Sequence, residues 1–83
     1  MHSLEISIPE TRLWRAVLDQ AYADAEQPQM PDAPEPLERM QARRFLRADT
    51  SHDHECLKDV CESADVPLDR VVNWARKQYR IAA

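Results

Sequence analysis

Residues 56–79 read CLKDVCESADVPLDRVVNWARKQY, and two short amphipathic segments meet there at Ala64-Asp65-Val66-Pro67. In the first, Cys56, Leu57, Val60, Cys61 and Ala64 recur at helical spacing, which predicts a helix from about 53 to 64. In the second, Leu68, Val71, Val72, Trp74, Ala75 and Tyr79 do the same, which predicts a helix from about 67 to 80. Pro67 suits its first position, where the missing N–H has no intrahelical partner to lose. A helix-turn-helix wants a small residue within its first helix, an apolar residue near that helix's end, an apolar plug after a tight turn and an apolar pair in the second helix. Cys61, Ala64, Val66, Val71 and Trp74 fill those places in order. Asp65 stands where the turn usually has glycine, and aspartate tolerates the left-handed backbone better than most residues.

The solvent face of the last helix would then carry Asp69, Arg70, Asn73, Arg76, Lys77 and Arg80. Arginine and asparagine hydrogen-bond guanine and adenine edges bidentately, and Lys77 or Arg80 would neutralise phosphates. We therefore expect DNA contact through Arg70, Asn73, Arg76, Lys77 and Arg80. Against this, the preceding helix carries Glu55, Asp59 and Glu62, and that helix normally lies along the DNA backbone. The plain alternative is a helical hairpin that only packs.

Upstream, Leu37, Met40, Phe45 and Leu46 predict a helix from 37 to about 48, with Arg39, Arg43, Arg44 and Arg47 exposed as a candidate partner-binding surface. Residues 49–53, Asp-Thr-Ser-His-Asp, read as a polar break rich in capping side chains. Pro28, Pro31, Pro34 and Pro36 forbid a helix interior or a central strand over 27–36. That stretch reads as a stiff linker. A ligand for a proline-recognition domain would need basic or aromatic anchors beside it, and these are missing. Leu13, Trp14, Val17, Leu18, Ala21, Tyr22 and Ala25 form one helical stripe, which predicts a helix from about 9 to 26. Ser7 and Glu10 have capping-box spacing around Pro9. Leu4, Ile6 and Ile8 alternate with polar residues, but so short a run lacks a partner strand and reads as an extended arm over residues 1–8. Residues 81–83 read as a short tail. The expectation is one all-α domain of four compact helices over 1–83, its last two helix-turn-helix-like, with Trp14 and Trp74 bridging the first helix and the last.

Charge falls in blocks within a net of −4. Residues 1–38 hold two arginines against eight acids, 39–47 four arginines and no acid, 48–69 one lysine against seven acids, and 70–83 four cations and no acid. A globally acidic chain binds polyanions poorly without a local basic face, and such faces commonly pair with the chain's own acidic segments.

The chain contains no glycine, which excludes a P-loop, a dinucleotide fingerprint and a kinase loop, all of which need close backbone approach to phosphate. His52, His54, Cys56 and Cys61 invite a zinc reading. Zinc wants converging ligands, however, and at about 100° per residue the two cysteines diverge by roughly 140° around one helix. The same divergence argues against a disulfide and for small buried hydrophobes in a reducing compartment. Cys, His and Asp are present, but no nucleophile sits on a turn beside an oxyanion donor, so no enzyme, cofactor or metal is expected. No apolar run is long enough for a bilayer, and Met1-His2-Ser3-Leu4-Glu5 lacks a basic n-region, so a cytoplasmic protein without a membrane partner is the expectation.

The pieces Leu13-Trp14-x-Ala16-Val17-Leu18, Ala42-Arg43-x-Phe45-Leu46 and Val60-Cys61-Glu62-x-Ala64-x-Val66-Pro67-x-Asp69-x-Val71 resemble a group of small proteins of bacteriophages and prophages of proteobacteria. In that group the second and third pieces typically read A-R-x-W/F-L and V-C-x-x-A-G-[LV]-x-P/D-x-x-V. Residues 60–71 are the most specific part, and Asp65 in place of the group's glycine is the main departure. The resemblance implies a mobile-element setting and a small helical fold, and it carries no catalytic residues. The leading expectation is a phage-type accessory or regulatory protein that binds DNA, as a homodimer because one module offers little surface. The alternative is a non-enzymatic adaptor or inhibitor docking on a host or phage protein through its acidic and arginine-rich surfaces.

Overall fold

Four helices follow one another along the chain: α1 Glu10–Ala25, α2 Leu37–Arg47, α3 Ser51–Ala64 and α4 Leu68–Gln78. They come from a computed structural model that describes residues 10–80. The expected arm over 1–8, the Ser7 half of the capping box and the tail over 81–83 lie outside the described residues. Among the described residues there is no strand, and no helix is long and apolar enough to cross a membrane. Over the described residues the protein is an all-α four-helix domain.

Helix α2 is the hub. It packs against α1, α3 and α4, while α3 lies against α1 and touches α4 least. Leu18 and Ala25 of α1, Ala42 and Leu46 of α2, Leu57, Val60, Cys61 and Ala64 of α3, and Val71, Val72 and Ala75 of α4 converge on one core. Leu46, Leu57 and Cys61 are its largest fully buried side chains. A domain of this size has too little interior to bury every apolar residue. Leu13 and Val17 of the α1 stripe, with Met30, Leu37 and Met40, accordingly stay exposed.

Helix α3 begins two residues before the expected start. Thr50 is its N-cap, and the Thr50 hydroxyl oxygen accepts from the Asp53 N–H at 3.0 Å. Part of the polar break is thus the first turn of α3, because a side chain that satisfies an orphan N–H starts the helix at once. Helices α2 and α3 both end in left-handed residues, Ala48 (φ 53°) and Asp65 (φ 58°). Each ending carries the same pair of bonds. Asp49 N–H donates to Arg44 O and Ala48 N–H to Phe45 O, both at 3.1 Å; Val66 N–H donates to Cys61 O at 2.9 Å and Asp65 N–H to Glu62 O at 3.3 Å. This is a Schellman closure, usually built on glycine, achieved without any glycine.

Arginines from other helices complete the helix ends. Arg43 Nε donates to Ala25 O at the end of α1 (2.9 Å), and Arg76 Nε to Arg47 O at the end of α2 (3.1 Å). Arg15 Nε donates to Ala64 O at the end of α3 (3.0 Å), and Arg47 Nη1 to Tyr79 O just past α4 (2.8 Å). The last carbonyls of a helix lack intrahelical donors and carry the negative end of its dipole, so a guanidinium there gains a charge-assisted bond and a favourable field. Every helix of the domain receives one.

Candidate nucleic-acid interface

The Ala64–Pro67 turn is closed by Asp65, which adopts a left-handed conformation. Pro67 is the N-cap of α4 and not its first helical residue. Cys61, Ala64 and Val71 are buried and Val66 is half-buried, as a helix-turn-helix requires. Trp74 departs from the pattern. It is 43% exposed, and Val72 and Ala75 hold the core positions in its stead. The reason is angular: Val71, Val72, Ala75 and Tyr79 surround the direction of α2, and Trp74 lies on the flank of that arc.

The indole packs edge-on against two tyrosines, Tyr22 of α1 (5.4 Å, 82°) and Tyr79 (5.5 Å, 88°). The bridge between the first and last helices is therefore Tyr22–Trp74 and not Trp14–Trp74. Trp14 packs half-buried on the core. Tyr22, Val66, Val71 and Trp74 line an open, largely apolar groove with Arg70 on its rim.

Opposite the buried arc, Asp69, Arg70, Asn73 and Lys77 are exposed; Arg76 is exposed on the flank toward α2. Arg80, expected on the same face, lies past the end of α4 and is exposed on the α2 side. Arg76 is engaged through Nε at the end of α2. Among the described residues, Arg70, Asn73, Lys77 and Arg80 make no side-chain hydrogen bond or ion pair. Arg70, Asn73 and Lys77 follow one another three and four residues apart, so they share a strip of helix surface. The first helix of the pair keeps its acidic exposed residues Glu55, Asp59 and Glu62.

The arginines of α2 are placed differently from the expectation that all four are exposed. Arg44 is exposed; Arg39, Arg43 and Arg47 are half-buried. Arg39 donates to Glu35 (2.9 Å) and to Gln27 O (2.6 Å), while Arg47 forks onto Asp49 (2.7 Å). Arg43 holds Ala25 O and lies over the Tyr79 ring at 4.5 Å. Their spacing of four puts them on one row of α2, facing the chain itself. The cations expected to pair with the protein's carboxylates pair mostly with its carbonyls. Sequence reading missed this because the acceptors are distant in the chain; the one local signal was the excess of arginine, nine against two lysines.

His52 Nε2 lies 3.6 Å from Cys56 Sγ, one turn apart on α3. Cys61 is buried on the core side, and burial pushes its thiol up from its ordinary value. Among the described residues no three metal-ligating side chains converge. Comparison with known protein families, curated proteins and solved structures finds no match to this chain.

Proposed function

We propose that this is a small phage-type accessory or regulatory protein that binds DNA through α4. The observation that carries the reading is the strip of Arg70, Asn73 and Lys77, with Arg80 beyond it: exposed, on a short helix set off by a turn, with no competing intramolecular partner among the described residues. Arg70 supplies a forked pair of donors for a guanine edge, Asn73 a donor and an acceptor for an adenine edge, and Lys77 and Arg80 supply phosphate contacts. Two copies act together, since one helix of this length makes too few contacts for specific affinity. The acidic surface of α3 sets the approach. It repels the backbone, so α4 meets DNA with its C-terminal half first.

The test is titration of a fluorescent duplex at low and moderate salt. Binding should fall steeply with salt, and Lys77→Glu should abolish it with the helical content unchanged. Lys77 is the better probe than Arg76, whose removal would also uncap α2. No binding to duplex at low salt overturns the reading.

One observation favours a second reading, a non-enzymatic adaptor. The exposed indole of Trp74 beside its apolar groove is the kind of rigid aromatic that anchors protein interfaces. In that reading the groove is the docking surface, Arg44 is the one fully exposed cation left on α2, and Trp74→Ala should release a protein partner while leaving duplex titrations unchanged.

A further inference from the structure

Between the proline-rich linker, α2 and the residue after Tyr79, the chain forms a half-open cavity of about 390 Å³. Arg39, Arg43, Arg47 and Arg80 line it, with Glu35 as its one carboxylate and Met40 as an apolar wall. Volumes of this order hold small ligands. Glu35 pairs with Arg39 and Asp49 with Arg47. Arg43 and Arg80 are left without a carboxylate among the described residues.

The donors are also unevenly spent. Arg43 uses only Nε, on Ala25 O, so both of its terminal nitrogens have no protein acceptor among the described residues. Arg80 has none at all, and Arg39 keeps one terminal nitrogen free of the contacts that hold Glu35 and Gln27 O. Arg43 is fixed on two sides, by the carbonyl and by the Tyr79 ring, so the entropy of ordering that long side chain is already lost on folding. Positioned, uncompensated guanidinium groups around one small space form an anion site in search of its anion.

We propose that this cavity binds a phosphoryl group, with Arg43 and Arg80 as the forked donors and Arg39 as a third. A phosphoryl group presents its anionic non-bridging oxygens to such forks, two with a single charge as a backbone diester and three with a charge of about −2 as a monoester or pyrophosphate end. The phosphoryl group belongs either to a nucleic-acid backbone or to a small free molecule, and the two share this chemistry. The inference does not depend on α4 reading DNA, although Arg80 serves both.

The experiment is calorimetric titration of the full chain with pyrophosphate at fixed ionic strength, beside thermal melts with the same ligand. Saturable one-to-one binding and a raised melting temperature are expected. Arg80→Ala should weaken binding about tenfold or more with the fold intact, Arg80→Glu should remove it, and Lys58→Ala, an exposed cation on α3, should leave it unchanged. Displacement of pyrophosphate by a short duplex assigns the site to backbone phosphate; retention of pyrophosphate in the presence of duplex assigns it to a small free molecule. Either supports the proposal. Absence of binding by the native chain, or equal binding by native and Arg80→Glu chains, overturns it. Pyrophosphate binding without any duplex binding would overturn the DNA reading alone.

Discussion

The guanidinium of Arg43 lies 4.5 Å over the ring of Tyr79 while its Nε donates to the last carbonyl of α1. One side chain of α2 thus ties the end of α1 to the end of α4, two helices that otherwise meet through the Tyr22–Trp74 contact. Tyr79 completes the clasp. Its hydroxyl donates to Glu26 at 2.5 Å, and its carbonyl accepts from Arg47. The C-terminal end of α4 is positioned by these polar contacts together with the burial of Ala75 and Tyr79.

Arg43→Lys should therefore destabilise the fold although the charge is kept. An ammonium has neither the planar face for the ring nor a fixed Nε for the carbonyl. The expected loss is about 1.5–3 kcal/mol, the range of a hydrogen bond to a charged group, read from urea midpoints. Arg44→Lys, on the exposed side of the same helix, should change stability by less than about 0.5 kcal/mol.

The left-handed residues give an opposite prediction. A side chain with a Cβ in this conformation costs about 1–2 kcal/mol, less for aspartate. Asp65→Gly should stabilise the protein by about 0.5–1 kcal/mol, partly offset by the freer unfolded chain. Ala48→Gly should gain less than that strain alone suggests, because the Ala48 methyl is buried and its loss costs about 0.8 kcal/mol. Asp65→Val should destabilise, since a β-branched residue fits this conformation worst.

Burial, with the Glu26 carboxylate second, pushes the Tyr79 hydroxyl well above its ordinary value of 10.0. Burial raises Tyr22 as well. A phenol whose folded pKa is raised stabilises the native state fully below the unfolded pKa, and that contribution is lost as pH rises past 10.0. Urea midpoints should hold level into mild alkali and then fall. In Tyr79→Phe the fall should be shallower, from a starting stability about 1 kcal/mol lower for the lost hydrogen bond.

Thr50→Ala removes the acceptor that starts α3. A loss of about 1 kcal/mol is expected, with the first turn of α3 exchanging its amide protons faster than the rest of the helix.

Within the proposed interface, Lys77→Ala should weaken all duplexes alike and lower the salt slope by about 1. Asn73→Ala should change the ranking of duplexes while leaving that slope alone. Equal effects of both substitutions would mean that α4 contacts the backbone without reading bases.

Helix number, helix order and the turn at Asp65 were legible in the chain because their causes are local. Apolar residues at helical spacing, prolines that end helices and a cap such as Thr50 act within a few residues of themselves. The Thr50 cap misled by two positions only because several polar residues there compete for the role. Trp74 was harder: its place on the flank of the buried arc depends on where α2 lies. The solvent strip of α4 followed from periodicity once the buried side of the helix was known.

What the arginines do was decided by the folded chain alone. Arg15 finds its acceptor 49 residues away, Arg76 29 and Arg43 18. A carbonyl has no identity in a sequence, since every residue has one; only a helix end brought alongside leaves it without a donor. The sequence by itself therefore determined four helices and where they stop. The tertiary structure decided which cations close those ends and which, on α4 and around the cavity beside α2, keep donors with no protein partner among the described residues.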